Sequence, residues 1–231
     1  MSELAYLDQI RIILSLAMLG IATASDIKKR EISDFVWIVF GALGICVILL
    51  GTDLGQELPK VGIALIVAPF VLLMWRFGLF GGADAFALIV LAVLAPGITF
   101  TENTITPFTA LTNAVLLSIV PMLVNVTRNM ALLMTKNDIF DGFNETRKKK
   151  AIAMFVGYRA ANPKFSFSIE RKVGSQKKLN LALQHAENTV FCQKRDTWVT
   201  PGIPYMVFIT AGFLVQLVYG DIIIGVFGAL R

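Results

Sequence analysis

Cysteine, histidine and charge are all scarce in this chain. Its 231 residues include two cysteines, Cys46 inside an apolar run and Cys192 in a polar one, and a single histidine, His185. A disulfide between such differently placed cysteines is not expected. There is no Cys-x-x-Cys pair and no histidine cluster, so no metal or other cofactor is expected, and a zinc hydrolase is argued against. Charged residues make up 16% of the chain, against about 25% in ordinary soluble domains. The hydrophobic 56% is gathered into blocks without amphipathic periodicity, which argues against a soluble helical protein. A net charge of +5 invites a nucleic-acid partner. The basic residues lie between the apolar blocks rather than interleaved with aromatics, so no nucleic acid is expected and the lipid bilayer is.

Six apolar blocks stand out, roughly 8–25, 35–51, 61–80, 85–96, 108–127 and 204–227. A helix crossing the hydrocarbon needs about 20 apolar residues, so the pattern predicts an all-α membrane protein of six transmembrane helices. Ala22-Thr23-Ala24 looks like a signal-peptide cleavage site. Glu3 and Asp8 precede it, however, and Arg11 is the one basic residue there. A retained first span is therefore expected, with Arg11 snorkelling outward. Lysine and arginine set the orientation. Lys28, Lys29, Arg30, Arg76 and the basic residues from Arg128 to Arg195 all fall on one side if the first loop is cytoplasmic, leaving Arg11, Lys60 and Arg231 for the other. This predicts a multi-pass protein of the plasma membrane with both termini outside. The outer loops, 52–60 and 97–107, hold Asp53, Glu57 and Glu102 against Lys60.

Three parts are expected: helices 1–5 over 1–127, a cytoplasmic insertion over 128–200, and a sixth helix over 201–231. The insertion carries Arg147-Lys148-Lys149-Lys150 and enough apolar residues for a small α/β or irregular subdomain. Alternation from Lys164 to Glu170 predicts a strand. The basic cluster suits anionic headgroups; a solvated linker is the alternative.

Charge next to hydrocarbon is costly and asks for a reason. Asp26 closes the first block and Asp84 opens the fourth, after Gly81-Gly82-Ala83. Both fall on the cytoplasmic side of the topology above. Two carboxylates at one depth can share a proton, so one serves as acid and the other as base. Such a pair activates a water and protonates a leaving amine, which is peptide hydrolysis with neither metal nor covalent intermediate. Gly81, Gly82 and Ala83 let the backbone turn tightly beside a substrate strand. Simpler roles exist for each acid. Asp84 is suited to cap its helix, Asp26 to pair with Lys29 or Arg30, and Glu31 and Asp34 either to cap the second helix or to receive basic substrate residues. A small transporter that uses Asp26 and Asp84 as proton or cation sites is the competing function.

Two motifs carry a resemblance. The stretch Asp26-Ile27-Lys28-Lys29-Arg30-Glu31-Ile32-Ser33-Asp34 resembles the first aspartate motif of the type IV prepilin peptidase family, and Gly81-Gly82-Ala83-Asp84 resembles that family's Gly-x-Gly-Asp motif. Trp198-Val199-Thr200-Pro201-Gly202-Ile203-Pro204 is similar to the archaeal preflagellin (archaellin) branch. The resemblance implies an aspartic endopeptidase with Asp26 and Asp84 as catalytic residues. It implies as substrates precursors with class III signal peptides, such as archaellins and pilins, cut at the cytoplasmic face after a short basic leader ending in glycine. Glu31, Asp34, Gly81, Gly82 and Ala83 would contact that substrate. Ala83 departs from the motif's second glycine, and the turn survives if its φ is negative. Phe86 stands where many bacterial members have lysine. The chain has neither the cysteine tetrad nor the long first cytoplasmic loop of the bacterial enzymes, so peptidase activity without N-methylation is expected.

Overall fold

The computed structural model describes residues 2–51, 53–98, 106–135, 138–174, 176–182 and 189–228. Most of the expected outer loop 97–107, with Glu102, lies outside these residues, as does His185. The described chain is mostly helical and divides into two compact units, Met1–Leu117 with Pro204–Arg231, and Ser118–Ile203. Among the described residues, three stretches are long and apolar enough to cross a membrane: Tyr6–Lys29, Leu54–Arg76 and Thr106–Met134. Asp34–Leu50, Gly82–Leu94 and Tyr205–Tyr219 are shorter apolar helices.

In the first unit, α1 (Ser2–Lys29), α2 (Asp34–Leu50), α3 (Leu54–Ala64), α4 (Val67–Arg76) and α5 (Gly82–Leu94) precede α6 (Thr106–Leu117). Two expected continuous blocks are interrupted, and prolines explain both. A proline lacks an N–H and its ring crowds the carbonyl four residues earlier. Pro69 does this to Leu65, where α3 ends and α4 has yet to begin; Pro121 does it to Leu117, the last residue of α6. The loop expected over 52–60 is instead largely the start of α3. Asp53 is its N-cap, accepting from the Gln56 amide at 3.2 Å.

Helix α5 is the centre of this unit, with α2, α4, α6 and α1 packed around it. Ala85, Ala87, Leu88, Leu91, Ala92 and Leu94 are fully buried along it. Arg11 does not snorkel: it is only 3% exposed, and its Nη2 meets Glu57 Oε2 at 2.6 Å. An arginine inside an apolar bundle is tolerated when paired in this way.

The unit closes with α9 (Tyr205–Tyr219) and α10 (Ile222–Gly228). The block expected over 204–227 breaks at Gly220, whose φ of 87° is open to glycine. Helix α9 packs chiefly on α6. A Cβ on Gly212 would collide with the backbone at Ala110 and Ala114, so these small residues let the two helices approach closely, as in membrane bundles. Asn113 ties the same helices at the turn, its Nδ2 donating to the carbonyls of Gly212 at 3.3 Å and Gly220 at 3.0 Å.

The described residues of the second unit form α7 (Ile119–Met134), α8 (Arg147–Val156) and five short strands. Strands β1 (Tyr158–Ala160), β2 (Ser166–Ser168) and β5 (Thr197–Pro201) form an antiparallel sheet in the order β1-β5-β2; β3 (Glu170–Val173) and β4 (Gln176–Leu179) form a ribbon. The alternating run at Lys164–Glu170 thus contributes β2 and the first residue of β3. Trp198, fully buried, stacks on Phe140 with centroids 4.6 Å apart and donates its Nε1–H to the Ile139 carbonyl at 2.7 Å. Asn129 fixes the end of α8 through the carbonyls of Met154 and Gly157.

Candidate active site

Asp26 lies in the last turn of α1. The helix ends where Arg30 adopts a left-handed φ of 60° and its amide donates to the Asp26 carbonyl at 3.1 Å, a common way for a helix to stop. Asp84 is the third residue of α5. It is not the N-cap; Gly81 is. The Asp84 carboxylate reaches back to accept from the Gly81 amide at 3.1 Å, satisfying a donor that the helix start leaves open. Asp84 is only 8% exposed, whereas Asp26 is half-buried.

Two helices bring these acids to one end of the unit. The first is α5 itself. Arg11 Nη1 lies 3.5 Å from the Leu94 carbonyl, so the start of α1 adjoins the end of α5. At 1.5 Å per residue Asp26 is about 22 Å further along α1, and Asp84 about 15 Å back along α5. The second is α9. Thr23 and Thr210 share a hydrogen bond of 2.7 Å, and Thr210 Oγ1 also reaches the Leu19 carbonyl at 3.5 Å, so α9 runs antiparallel to α1. Its first turn therefore meets the end of α1, with the Met206 backbone close to the Asp26 carboxylate. Pro204 stands at the N-cap of α9 and has no side chain to offer. Next to Met206, Tyr205 stacks on Phe80, with centroids 6.0 Å apart and planes 5° from parallel. One turn of α9 thus touches Asp26 on one helix and the segment leading to Asp84 on another.

The glycine-rich approach to α5 is a real turn. Gly78 has a φ of 71°, which glycine adopts without strain. Gly82 is buried, and Ala83 is helical with negative φ, so its methyl group fits the motif's second glycine position. Glu31 is exposed in the link between α1 and α2. Asp34 is exposed as the first residue of α2, whose N-cap is Ser33. Phe86, 38% exposed, faces Trp75 with centroids 6.1 Å apart.

Reading the sequence did not single out Tyr205, Met206 or Phe80. Pro204 before an apolar run signals a helix start, but only the packing reveals which acid serves it.

The comparisons with known proteins bear on the whole chain. Residues 13–126 match the sequence profile described as the type IV leader peptidase family, and residues 144–222 match the one described as archaeal peptidase A24 C-terminus type II. The chain is similar to a preflagellin peptidase of Methanocaldococcus jannaschii, 26% identical over 223 residues that cover 90% of this chain and 92% of the relative. It is also similar to preflagellin peptidases of Methanococcus maripaludis strain C6, 27% identical over 87% and 91% of the two chains, and of Methanococcus voltae, 27% identical over 92% and 97%.

Proposed function

Because the chain belongs to the type IV leader peptidase family, we propose that it is a membrane-embedded aspartic endopeptidase that removes the short basic leader from preflagellin- or prepilin-like precursors. Asp26 and Asp84 are its catalytic residues. The observation that carries this reading is the convergence of both acids on one end of the helical unit, where the first turn of α9 engages Asp26 and packs on the segment before Asp84.

The chemistry needs one carboxylate ionised and the other protonated. The ionised one takes a proton from a water whose oxygen attacks the scissile carbonyl carbon. The protonated one first donates to the carbonyl oxygen. The tetrahedral intermediate then collapses: one of its hydroxyls returns a proton to the carboxylate that had donated to the carbonyl oxygen, the C–N bond breaks, and the amine leaves with the proton that the other carboxyl had taken from water. The leader departs as a carboxylic acid, and the mature protein gains a free amino terminus. The Gly81 amide gives Asp84 a fixed orientation, and Asp26 lies beside the Met206 backbone.

Glu31 and Asp34 provide negative charge at the same end for a basic leader, and Gly81, Gly82 and Ala83 give it close access to the backbone. The reading includes six spans with both termini outside, helices over 1–127 and 201–231 flanking a cytoplasmic insertion over 128–200, cleavage at the cytoplasmic face, and no N-methylation of the product.

Purified full-length protein is expected to cut a synthetic precursor once, after its basic leader, as read by mass spectrometry. Asp26→Asn and Asp84→Asn should each lower the rate at least about a thousandfold, the scale seen when a member of a catalytic unit is removed, with helical circular dichroism retained. Wild-type rates in either variant rule out the pair.

A further inference from the structure

One turn before Asp26, α1 and α9 meet through hydroxyl groups set among apolar side chains. Thr23 and Asp26 are three residues apart on α1 and so share a helix face. Thr23 Oγ1 lies 2.7 Å from Thr210 Oγ1 and 3.3 Å from the Met206 carbonyl oxygen. Thr210 Oγ1 lies 2.9 Å from that same carbonyl, one turn earlier on its own helix. Both hydroxyls therefore converge on one peptide group in the first turn of α9. Around them Leu19, Ala22, Met206 and Ile209 are fully buried. Each hydroxyl has one proton to give, and two arrangements use both. In one, Thr210 donates to the carbonyl and Thr23 donates to Thr210. In the other, Thr23 donates to the carbonyl and Thr210 donates to Thr23. Either way the Met206 carbonyl is tied to α1 through a side chain that shares a face with Asp26.

Apolar contact alone fixes the relative position of two membrane helices poorly, because lipid tails are as apolar as the side chains. A hydrogen bond between two short side chains sets a distance. The turn held in this way has a second contact: Tyr205, next to Met206, stacks on Phe80 just before α5. The first turn of α9 is thus clasped to α1 on one side and packed on the approach to Asp84 on the other. We propose that Thr23 and Thr210 form a clasp that sets the spacing of Asp26 and Asp84, which makes both of them positioning residues for peptide hydrolysis. The proposal rests on the leader-peptidase reading. The two hydroxyls act through the Met206 peptide and Tyr205 and do not meet the attacking water or the scissile carbonyl. One water must lie between the two carboxyls for the reaction to proceed. Loss of the clasp therefore slows the chemical step and leaves precursor binding as it was; a misplacement of about 1 Å costs up to about a hundredfold in rate.

Valine keeps the shape of threonine and removes its hydroxyl. In the full-length protein, in phospholipid nanodiscs with a synthetic precursor, Thr23→Val and Thr210→Val should each lower kcat about tenfold with KM unchanged. Thr23→Ser, which keeps the hydroxyl, should restore most of the loss. The double valine variant should be no slower than either single one, because the two residues share one hydrogen bond. A rise in KM with kcat unchanged overturns the proposal. A cysteine pair then separates position from folding. The two oxygens are 2.7 Å apart, near the S–S length of about 2.05 Å. Thr23→Cys with Thr210→Cys, in a Cys46→Ala, Cys192→Ala background, should therefore close a disulfide, read by mass spectrometry. In one preparation, kcat should be close to that of wild type when oxidised and about tenfold lower once reduced. Equal kcat in the two states overturns the clasp, and so does a faster reduced state, since α1 and α9 would then have to part during turnover. A pair that does not oxidise overturns the contact itself. Active Asp26→Asn and Asp84→Asn proteins would refute aspartic catalysis, although the disulfide still forms. Inactive ones, with Thr23→Val at the wild-type kcat, would refute the clasp and leave the catalytic pair standing.

Discussion

Asp26 and Asp84 are both carboxylates at helix ends, but the backbone uses them differently. Asp84 closes its own helix start through Gly81, a contact within four residues. Asp26 instead lies beside the start of a helix that begins 179 positions later, near Met206. The two acids should therefore respond differently to truncation. Asn keeps an acceptor oxygen, whereas Ala removes it. Asp26→Ala is expected to be less stable than Asp26→Asn by about 1 kcal/mol, the usual worth of an N-terminal cap, read as the difference in thermal unfolding in detergent. Equal stabilities would show that α9 does not depend on Asp26. The acids themselves were legible from the sequence, because charge at the end of an apolar run stands out. Met206 was not, because what it contributes is a backbone N–H, which every residue but proline has.

Among the helices, the contact between α6 and α9 depends most on small residues. Gly212 sits against the backbone at Ala110 and Ala114, leaving no room for a β-carbon. Gly212→Val is expected to cost about 1–3 kcal/mol through overpacking and to lower the unfolding midpoint accordingly. It should also lower activity, since α9 carries the turn that holds Asp26. A neutral Gly212→Val would mean that the two helices have room to separate. Hydropathy foresaw these apolar blocks but not their interruptions. Averaged over a window, Pro69 and Pro121 look like two residues in a long run. In the helix each removes a hydrogen bond, and each block becomes two helices.

For the molecule as a whole, the second unit offers two tests. Burial pushes the Glu170 carboxyl up. The hydrogen bonds from Lys194 at 2.6 Å and Thr197 at 3.0 Å, with the charges of Lys194 and Lys177, outweigh it and leave the carboxyl below the usual glutamate range. A lowered carboxyl contributes stability above its unfolded value and loses it as pH falls through the folded one. Protection of the 138–200 backbone from hydrogen exchange should thus be full at neutral pH and decline below the ordinary glutamate range; a Glu170→Gln protein should show less of that decline. If both decline alike, Glu170 is not the group responsible. The native cysteines provide the topology test. In a Cys46→Ala background, Cys192 should resist a membrane-impermeant maleimide in intact cells and react once the membrane is opened. Labelling of intact cells would overturn the cytoplasmic placement of 128–200.

Membrane character, the apolar helices and the two motif acids could be read without coordinates, since each depends on composition or on neighbours within a few residues. The pairing of Arg11 with Glu57 and the α9 turn at Asp26 could not. Each joins residues that lie far apart in the chain, and local sequence does not say which of many donors and acceptors will meet. Asp26 and Asp84 were visible as two separate acids. Helix packing is what sets them at the same end of one unit.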